Sequence, residues 1–151
     1  MSSRTDIALR TTVACVIQRH NRYLVVEEAC GGRETLFNQP AGHVEPGEGP
    51  LAAINREVRE ETAWEIELIG YLGLYVFHAP GGLTFHSHGF VAKPRRFLNT
   101  PLDSPITATH WLSQEEMQTL SAQGRLRSPL VLARILDAQT GPIYPLSVIR
   151  E

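Results

Sequence analysis

The segment from Gly42 to Trp64, GHVEPGEGPLAAINREVREETAW, carries acidic residues at Glu45, Glu48, Glu57, Glu60 and Glu61. On a helix, Glu57, Glu60 and Glu61 stand at i, i+3 and i+4 and share one face. Like charges at that spacing repel, costing a helix roughly 0.2–0.5 kcal/mol per pair. Their place near the helix C-terminus, where the macrodipole disfavours negative charge, adds to the cost. A divalent cation resolves the repulsion, and magnesium, which takes oxygen ligands and shares its remaining positions with phosphates, suits the donor set. The competing reading is a solvated acidic face, with Arg56 and Arg59 interspersed.

The elements that must hold these residues can be read from the flanking sequence. Pro50 stands where a first helical turn needs no N–H, and Leu51, Ile54, Val58 and Thr62 form an apolar stripe over LAAINREVREET. Ahead of it, Thr11 to Ile17 and Tyr23 to Glu27 are β-branched runs that predict a hairpin or meander. Residues 30–34 predict a loop, and Leu36 to Pro40 a short extended segment leading to Gly42. After the helix, Ile66–Phe77 and Leu83–Ala92 are strand-like, split by the turn signal Pro80-Gly81-Gly82. Arg95 to Pro105 reads as a loop and Thr109 to Leu112 as another strand. Ser113-Gln114-Glu115-Glu116 is a capping box that starts a helix, and a further helix runs from about Pro129 to Ala138, closed by Gly141-Pro142. The order β-β-α-β-β-β-α-α predicts an α/β (α+β) fold, a sheet packed between helices, in one domain spanning 1–151 with its core at about 8–140.

Composition narrows the function class. A chain of 151 residues with 42% hydrophobic and 20% charged content suits one folded domain. A net charge of −2 supplies no basic field for a nucleic acid polymer. Lys93 is the sole lysine among 14 basic residues, an arginine excess that suits phosphate recognition and equally reflects a coding bias. Cys15 lies in an apolar run and Cys30 in the expected loop, with no CxxC or His/Cys spacing for zinc. The opening MSSRTDIALR lacks the apolar stretch of a signal peptide, and no run approaches the ~20 apolar residues of a membrane span. The expectation is a cytoplasmic protein without a membrane partner.

The spacing within the glutamate segment resembles the Nudix box, the signature of a family of hydrolases acting on a diphosphate linked to another moiety. Gly42, Glu48, Arg56, Glu57, Val58, Glu60, Glu61 and Trp64 fall at the family's positions. Ala63 stands where the family has glycine, and a left-handed helix end there would cost alanine about 1–2 kcal/mol. The resemblance implies a Nudix fold, a mixed sheet sandwiched between helices. It implies magnesium, with manganese as a substitute, held by Glu57, Glu60, Glu61 and the Gly42 carbonyl. It also implies an Arg56–Glu48 salt bridge that orients Glu57, and a general base at Glu57 or Glu60, with Asp103 in reserve.

Outside the box, TVACVI, YLVVEE, FNQPAGH, Trp111-Leu112-Ser113, LRSPLV and YPLSVI are similar to a bacterial subgroup, the NudJ-type phosphatases. That subgroup implies a hydroxymethylpyrimidine diphosphate, thiamine diphosphate or nucleoside di- or triphosphate as substrate, and a monomer or weak homodimer. The alternatives are a pyrophosphohydrolase for another nucleoside diphosphate derivative such as ADP-ribose, a nucleotide-binding sensor without catalysis, and a metal-stabilised structural domain. Candidate substrate contacts are Phe37 and Tyr75 as stacking rings, against their reading as core. His43, which follows the box glycine, and His86 and His88, which share one strand face, are candidate phosphate contacts. Arg125 and Arg127 are further phosphate candidates, against a solvated reading at a helix start.

Overall fold

The computed structural model describes residues 8–32 and 34–151. Residues 1–7, read above for a leader, and Arg33 of the expected 30–34 loop lie outside the described residues. Among the described residues seven strands, β1 (Leu9–Arg19), β2 (Arg22–Glu28), β3 (Leu36–Asn38), β4 (Ala41–His43), β5 (Trp64–His78), β6 (Thr84–Phe97) and β7 (Ile106–Ser113), form one mixed sheet. Three α-helices pack on it: α1 (Pro50–Thr62), α2 (Gln114–Ala122) and α3 (Leu130–Thr140). β1 lies at its centre, parallel to β6 from Leu9↔Thr84 to Ile17↔Ala92 and antiparallel to β4 and to the start of β2. β2 in turn carries β3 and β7, and β6 carries β5.

Alternation along β1 divides the core in two. Val13, Cys15 and Ile17 point to one face, where they meet Ala53, Ile54 and Val58 of α1 together with Phe90 and Ala92. Val16 points to the other, with Tyr23, Val25, Phe37 and Leu72, and meets Met117 of α2 and Val131 and Ile135 of α3. The stripe expected on α1 is the buried one: Ile54, Val58 and Thr62 are buried and Leu51 packs at the edge. Helices therefore cover both faces, as predicted, because each strand of the central pair is apolar on both sides.

Three local features depart from or refine the sequence reading. β4 is an additional strand, three residues long, too short for periodicity to register. The expected loop at Arg95 instead begins after Phe97, since β6 continues opposite the start of β5, with Trp64↔Phe97 and Glu65↔Arg96 in register. Pro94 falls within the strand because the ladder shifts register between Glu65 and Ile66, and a proline is tolerated at such a bulge. Ala63 does adopt the left-handed conformation, at φ 62 and ψ 21, and its N–H donates to the Arg59 carbonyl.

Trp64 follows immediately and stacks on Phe97, with centroids 5.3 Å apart. It meets Trp111 edge to face at 6.0 Å, and the Arg19 guanidinium lies over both indoles, 5.4 and 4.2 Å from their centroids. At the start of α2 the Ser113 capping box forms in both directions. No helix among the described residues is long and apolar enough to cross a membrane.

Candidate active site

The box residues assemble around one guanidinium. Arg56 donates to Glu48 through Nη2 at 2.6 Å and Nε at 3.0 Å, a two-point fork that only arginine supplies. The same Nη2 reaches the His43 carbonyl at 3.0 Å, and Nη1 donates to Glu57 at 2.8 Å and Glu60 at 3.1 Å. Arg56 thereby ties the loop carrying His43 and Glu48 to the helix carrying Glu57 and Glu60. The fork holds the Glu48 carboxyl down at about 2, and Glu48 in return accepts the Glu45 N–H.

Glu57 and Glu61 lie deeper. Burial raises the carboxyl of Glu57 above its ordinary range, against the pull of Arg56, and Glu60 and Asp103 add to the rise. Burial pushes Glu61 up to about 8, with further repulsion from Glu57, Glu28 and Asp103, although its Oε1 accepts the Ala41 N–H at 2.8 Å. Gly42 is required beside them: a Cβ there would sit 2.0 Å from the Glu57 carboxyl carbon and 2.2–2.4 Å from its oxygens. The Glu57 carboxylate occupies the volume where any other residue would carry its side chain.

These side chains are distributed among protein partners, and among the described residues no group of three or more His, Cys, Asp or Glu is gathered to metal-holding reach. The donor set nonetheless fits a hard divalent cation. It consists only of oxygens, it holds carboxyls whose ionised forms are disfavoured by burial and mutual repulsion, and it includes a glycine cradle that leaves the Glu57 carboxylate beside the Gly42 backbone.

Gly42, His43, Glu57 and Glu61 form one end of a cleft of about 770 Å³. Its other walls come from β5–β6 and the start of α3: Phe77, Leu83, Phe85 and Ser87 on one side, Arg127, Ser128 and Arg134 on another. Glu28, at the end of β2, also lines it. Its Oε1 is buried without a hydrogen bond among the described residues, 3.8 Å from Arg127 Nε, and burial raises its carboxyl.

Other expected contacts lie elsewhere. Phe37 is only 9% exposed, part of the second core cluster, with Arg125 over its ring at 5.3 Å; it does not line the cleft. Arg125 is spent on Thr35, whose carbonyl and hydroxyl both accept from it. Tyr75 does not line the cleft, although it pairs with Ser87 across β5 and β6 and shares its face; its hydroxyl donates to Asp137 at 2.8 Å. His86 and His88 do share a face, but the face opposite Phe85 and Ser87, which are the residues that line the cleft. There His88 Nδ1 meets the Tyr71 hydroxyl at 2.9 Å, and burial lowers its basicity. Asp103 is exposed and does not line the cleft; its backbone N–H donates to the Glu60 carbonyl at 3.0 Å and anchors the loop after β6 to the end of α1.

Glu28, Phe77, Phe85, Ser87 and Arg134 are among the cleft residues that the sequence reading missed. A signal existed for the last. Val131, Arg134 and Ile135 stand at helical spacing, so an arginine falls within the buried stripe of α3.

Comparison with known proteins agrees with this geometry. Residues 8–134 match the family model described as the NUDIX domain. The chain is 38% identical over 141 residues to Phosphatase NudJ of Escherichia coli (strain K12), covering 93% of this chain and 90% of that one. It is 35% identical to a NUDIX hydrolase from Nitrosomonas europaea of known structure, with a TM-score of 0.88 over 94% of this chain and 96% of the other. The MutT protein from Methanosarcina mazei Go1, at 18% identity, shares the fold, with a TM-score of 0.68 over 89% of this chain and 94% of that one. The glutamate helix, its arginine fork and these likenesses lead to one conclusion: the chain belongs to the Nudix hydrolase family, whose members hydrolyse phosphoanhydride bonds and generally require a divalent metal ion.

Proposed function

We propose that this protein, as one domain over residues 1–151, is a magnesium-dependent phosphatase of small organic diphosphates and nucleotides. Among these are the pyrimidine and thiamine diphosphates implied by its likeness to NudJ, and manganese would substitute for magnesium. The observation that carries the reading is the union, in a single cleft, of the Arg56-tied carboxylates with an aromatic-walled volume large enough for an organic moiety. Glu57, Glu60, Glu61 and the Gly42 carbonyl would hold the cation, which would supply charge neutralisation for the phosphates and acidify water.

The chain's own residues perform the remaining tasks. Arg56 fixes the Glu57 Oε1 through Nη1. Glu57 lines the cleft, and burial makes its carboxylate a stronger proton acceptor than a solvated one, so we assign it as the general base toward the attacking water. Glu60, the more exposed partner on Nη1, completes the acidic face. Glu48 positions Arg56 and takes no proton at neutral pH. His43, at the mouth of the cleft, and Arg127, on its far wall, are the candidates for phosphate oxygens.

Phosphate release measured with magnesium across hydroxymethylpyrimidine diphosphate, thiamine diphosphate, nucleoside triphosphates and ADP-ribose tests the reading. Turnover of the first three is expected. Preferred turnover of ADP-ribose would move the activity to another nucleoside diphosphate derivative, and tight binding without any turnover would make the protein a nucleotide sensor. Glu57→Gln should lower kcat at least 100-fold with the fold retained, judged by circular dichroism.

A further inference from the structure

Arg134 is a charged side chain that the fold withdraws from water without neutralising. It sits in the second turn of α3, 5% exposed, and lines the cleft. Nη1 donates to Gln39 Oε1 at 3.1 Å, Nη2 donates to Ser87 Oγ at 2.9 Å, and the guanidinium lies 5.4 Å from the Tyr75 ring centroid. Both acceptors are neutral, and Nε is buried with no hydrogen-bond partner among the described residues. Desolvation draws its pKa down to about 10, which leaves it a cation at neutral pH. A guanidinium has five N–H groups, and the described residues supply acceptors through only two of its nitrogens. A residue needed only to fill this volume would be apolar, because a buried donor without a partner destabilises the fold.

The surroundings say what completes it. Phe77 and Phe85 are direct partners across β5 and β6 and both line the cleft. Ser87, two residues along β6 from Phe85, shares its face and is the group that Arg134 holds. An aromatic wall thus adjoins a donor-rich floor, while the acidic residues Glu57 and Glu61 line the part of the cleft formed with Gly42. A flat ring satisfies both features at once: its face packs on the phenyl groups and its edge offers lone pairs to the guanidinium. A hydrated phosphate dianion satisfies only the second, and its water would have to be stripped by phenyl rings.

We propose that Arg134, with Phe77 and Phe85, forms the subsite for the organic half of the substrate, a planar heterocycle presenting a carbonyl oxygen or ring nitrogen, and that Arg134 is its specificity-determining residue. The subsite rests on the reading of the cleft as a phosphoanhydride hydrolase site. Titration calorimetry of the protein with magnesium present tests it, using cytidine 5′-monophosphate and ribose 5-phosphate, which share the phosphate and sugar and differ in the ring. The wild type should bind the cytidine compound at least 10-fold tighter. Arg134→Met should remove most of that ratio while binding ribose 5-phosphate as before.

An equal loss for both ligands would show that Arg134 serves the phosphate and overturn the proposal, as would an unchanged ratio. If Arg134→Met does not keep the wild-type melting profile, Phe77→Leu decides: a ratio reduced at least threefold supports the subsite, and a retained ratio refutes it. A ring preference in a protein that turns over no diphosphate would overturn the hydrolase reading and leave the subsite standing. Turnover without ring preference would do the reverse.

Discussion

Replacing Gly42 by alanine isolates the geometry of the glutamate cluster from the stability of the fold. The new Cβ would stand 2.0 Å from the Glu57 carboxyl carbon, where ordinary contact begins near 3.4 Å. The carboxylate must therefore retreat by about 1.4 Å, since Gly42 lies in β4 and is pinned to Val13 of β1. Retreat breaks the 2.8 Å bond from Arg56 Nη1 and removes the oxygen assigned as the proton acceptor. A displacement on the order of 1 Å at a reacting group costs about 100-fold in rate. Losing this ion pair, whose side chains are 17% and 12% exposed, and straining the contact should together cost about 1–3 kcal/mol in stability.

The assay is kcat/KM for a pyrimidine diphosphate with saturating magnesium, run beside a thermal melt. The expected result is a fall of about two orders of magnitude in kcat/KM with a melting temperature lowered by no more than about 10 °C. Combining Gly42→Ala with Glu57→Asp, which shortens the offending side chain by one methylene, should recover part of the melting loss and none of the activity. A single Gly42→Ala variant within threefold of wild-type kcat/KM would falsify the role given to this contact.

The other predictions follow from the same site. Arg56→Lys keeps the charge and loses the fork, so kcat should fall at least 10-fold; calorimetry should also show weaker magnesium binding, and an unchanged affinity would refute the clamp. Because the Glu61 carboxyl is raised from 4.5 to about 8 in the folded chain, folding favours its protonated form. That stabilisation is complete at low pH and is lost as pH rises from about 4.5 through 8, with Glu28 and Glu57 acting in the same direction. In chelator, the melting temperature should therefore decline from pH 5 to pH 8, and Glu61→Gln should flatten the decline; a rising profile would contradict it. Ala63→Gly removes about 1–2 kcal/mol of left-handed strain and about 0.8 kcal/mol of buried methyl, so the denaturation midpoint should rise slightly. A loss of 1 kcal/mol or more would show that the methyl matters more than the backbone.

Much of this site follows from local rules. Helical spacing places Glu57, Glu60 and Glu61 together, and the box spacing brings Arg56 to Glu48. The Ser113 capping box and the Pro50 start need only neighbouring residues to act. What escaped depends on layers that meet only in the folded chain. Strand alternation puts His86 and His88 on one side, but which side faces the cleft is decided by the parallel pairing of β6 with β1, some 75 residues away in sequence. Phe37 is apolar, as either a ring platform or a core residue would be; only its packing against Met117 and Val131 selects the core. Arg134 falls within the apolar stripe of α3, but its place at the cleft is set by Gln39 and Ser87, which meet it from two other parts of the chain.

The chain's two tryptophans, Trp64 and Trp111, lie in edge contact beneath the Arg19 guanidinium, where the box helix ends. Intrinsic emission from this protein is therefore a single-address signal. It reports the indole pair and the helix end bonded through Ala63, while neither indole lines the cleft. Exciton coupling between rings 6.0 Å apart should also give a far-ultraviolet dichroism couplet that vanishes with either indole. A titration followed by tryptophan fluorescence would register strain passed down α1 from the carboxylates, and would stay silent to a ring settling on Phe77 and Phe85.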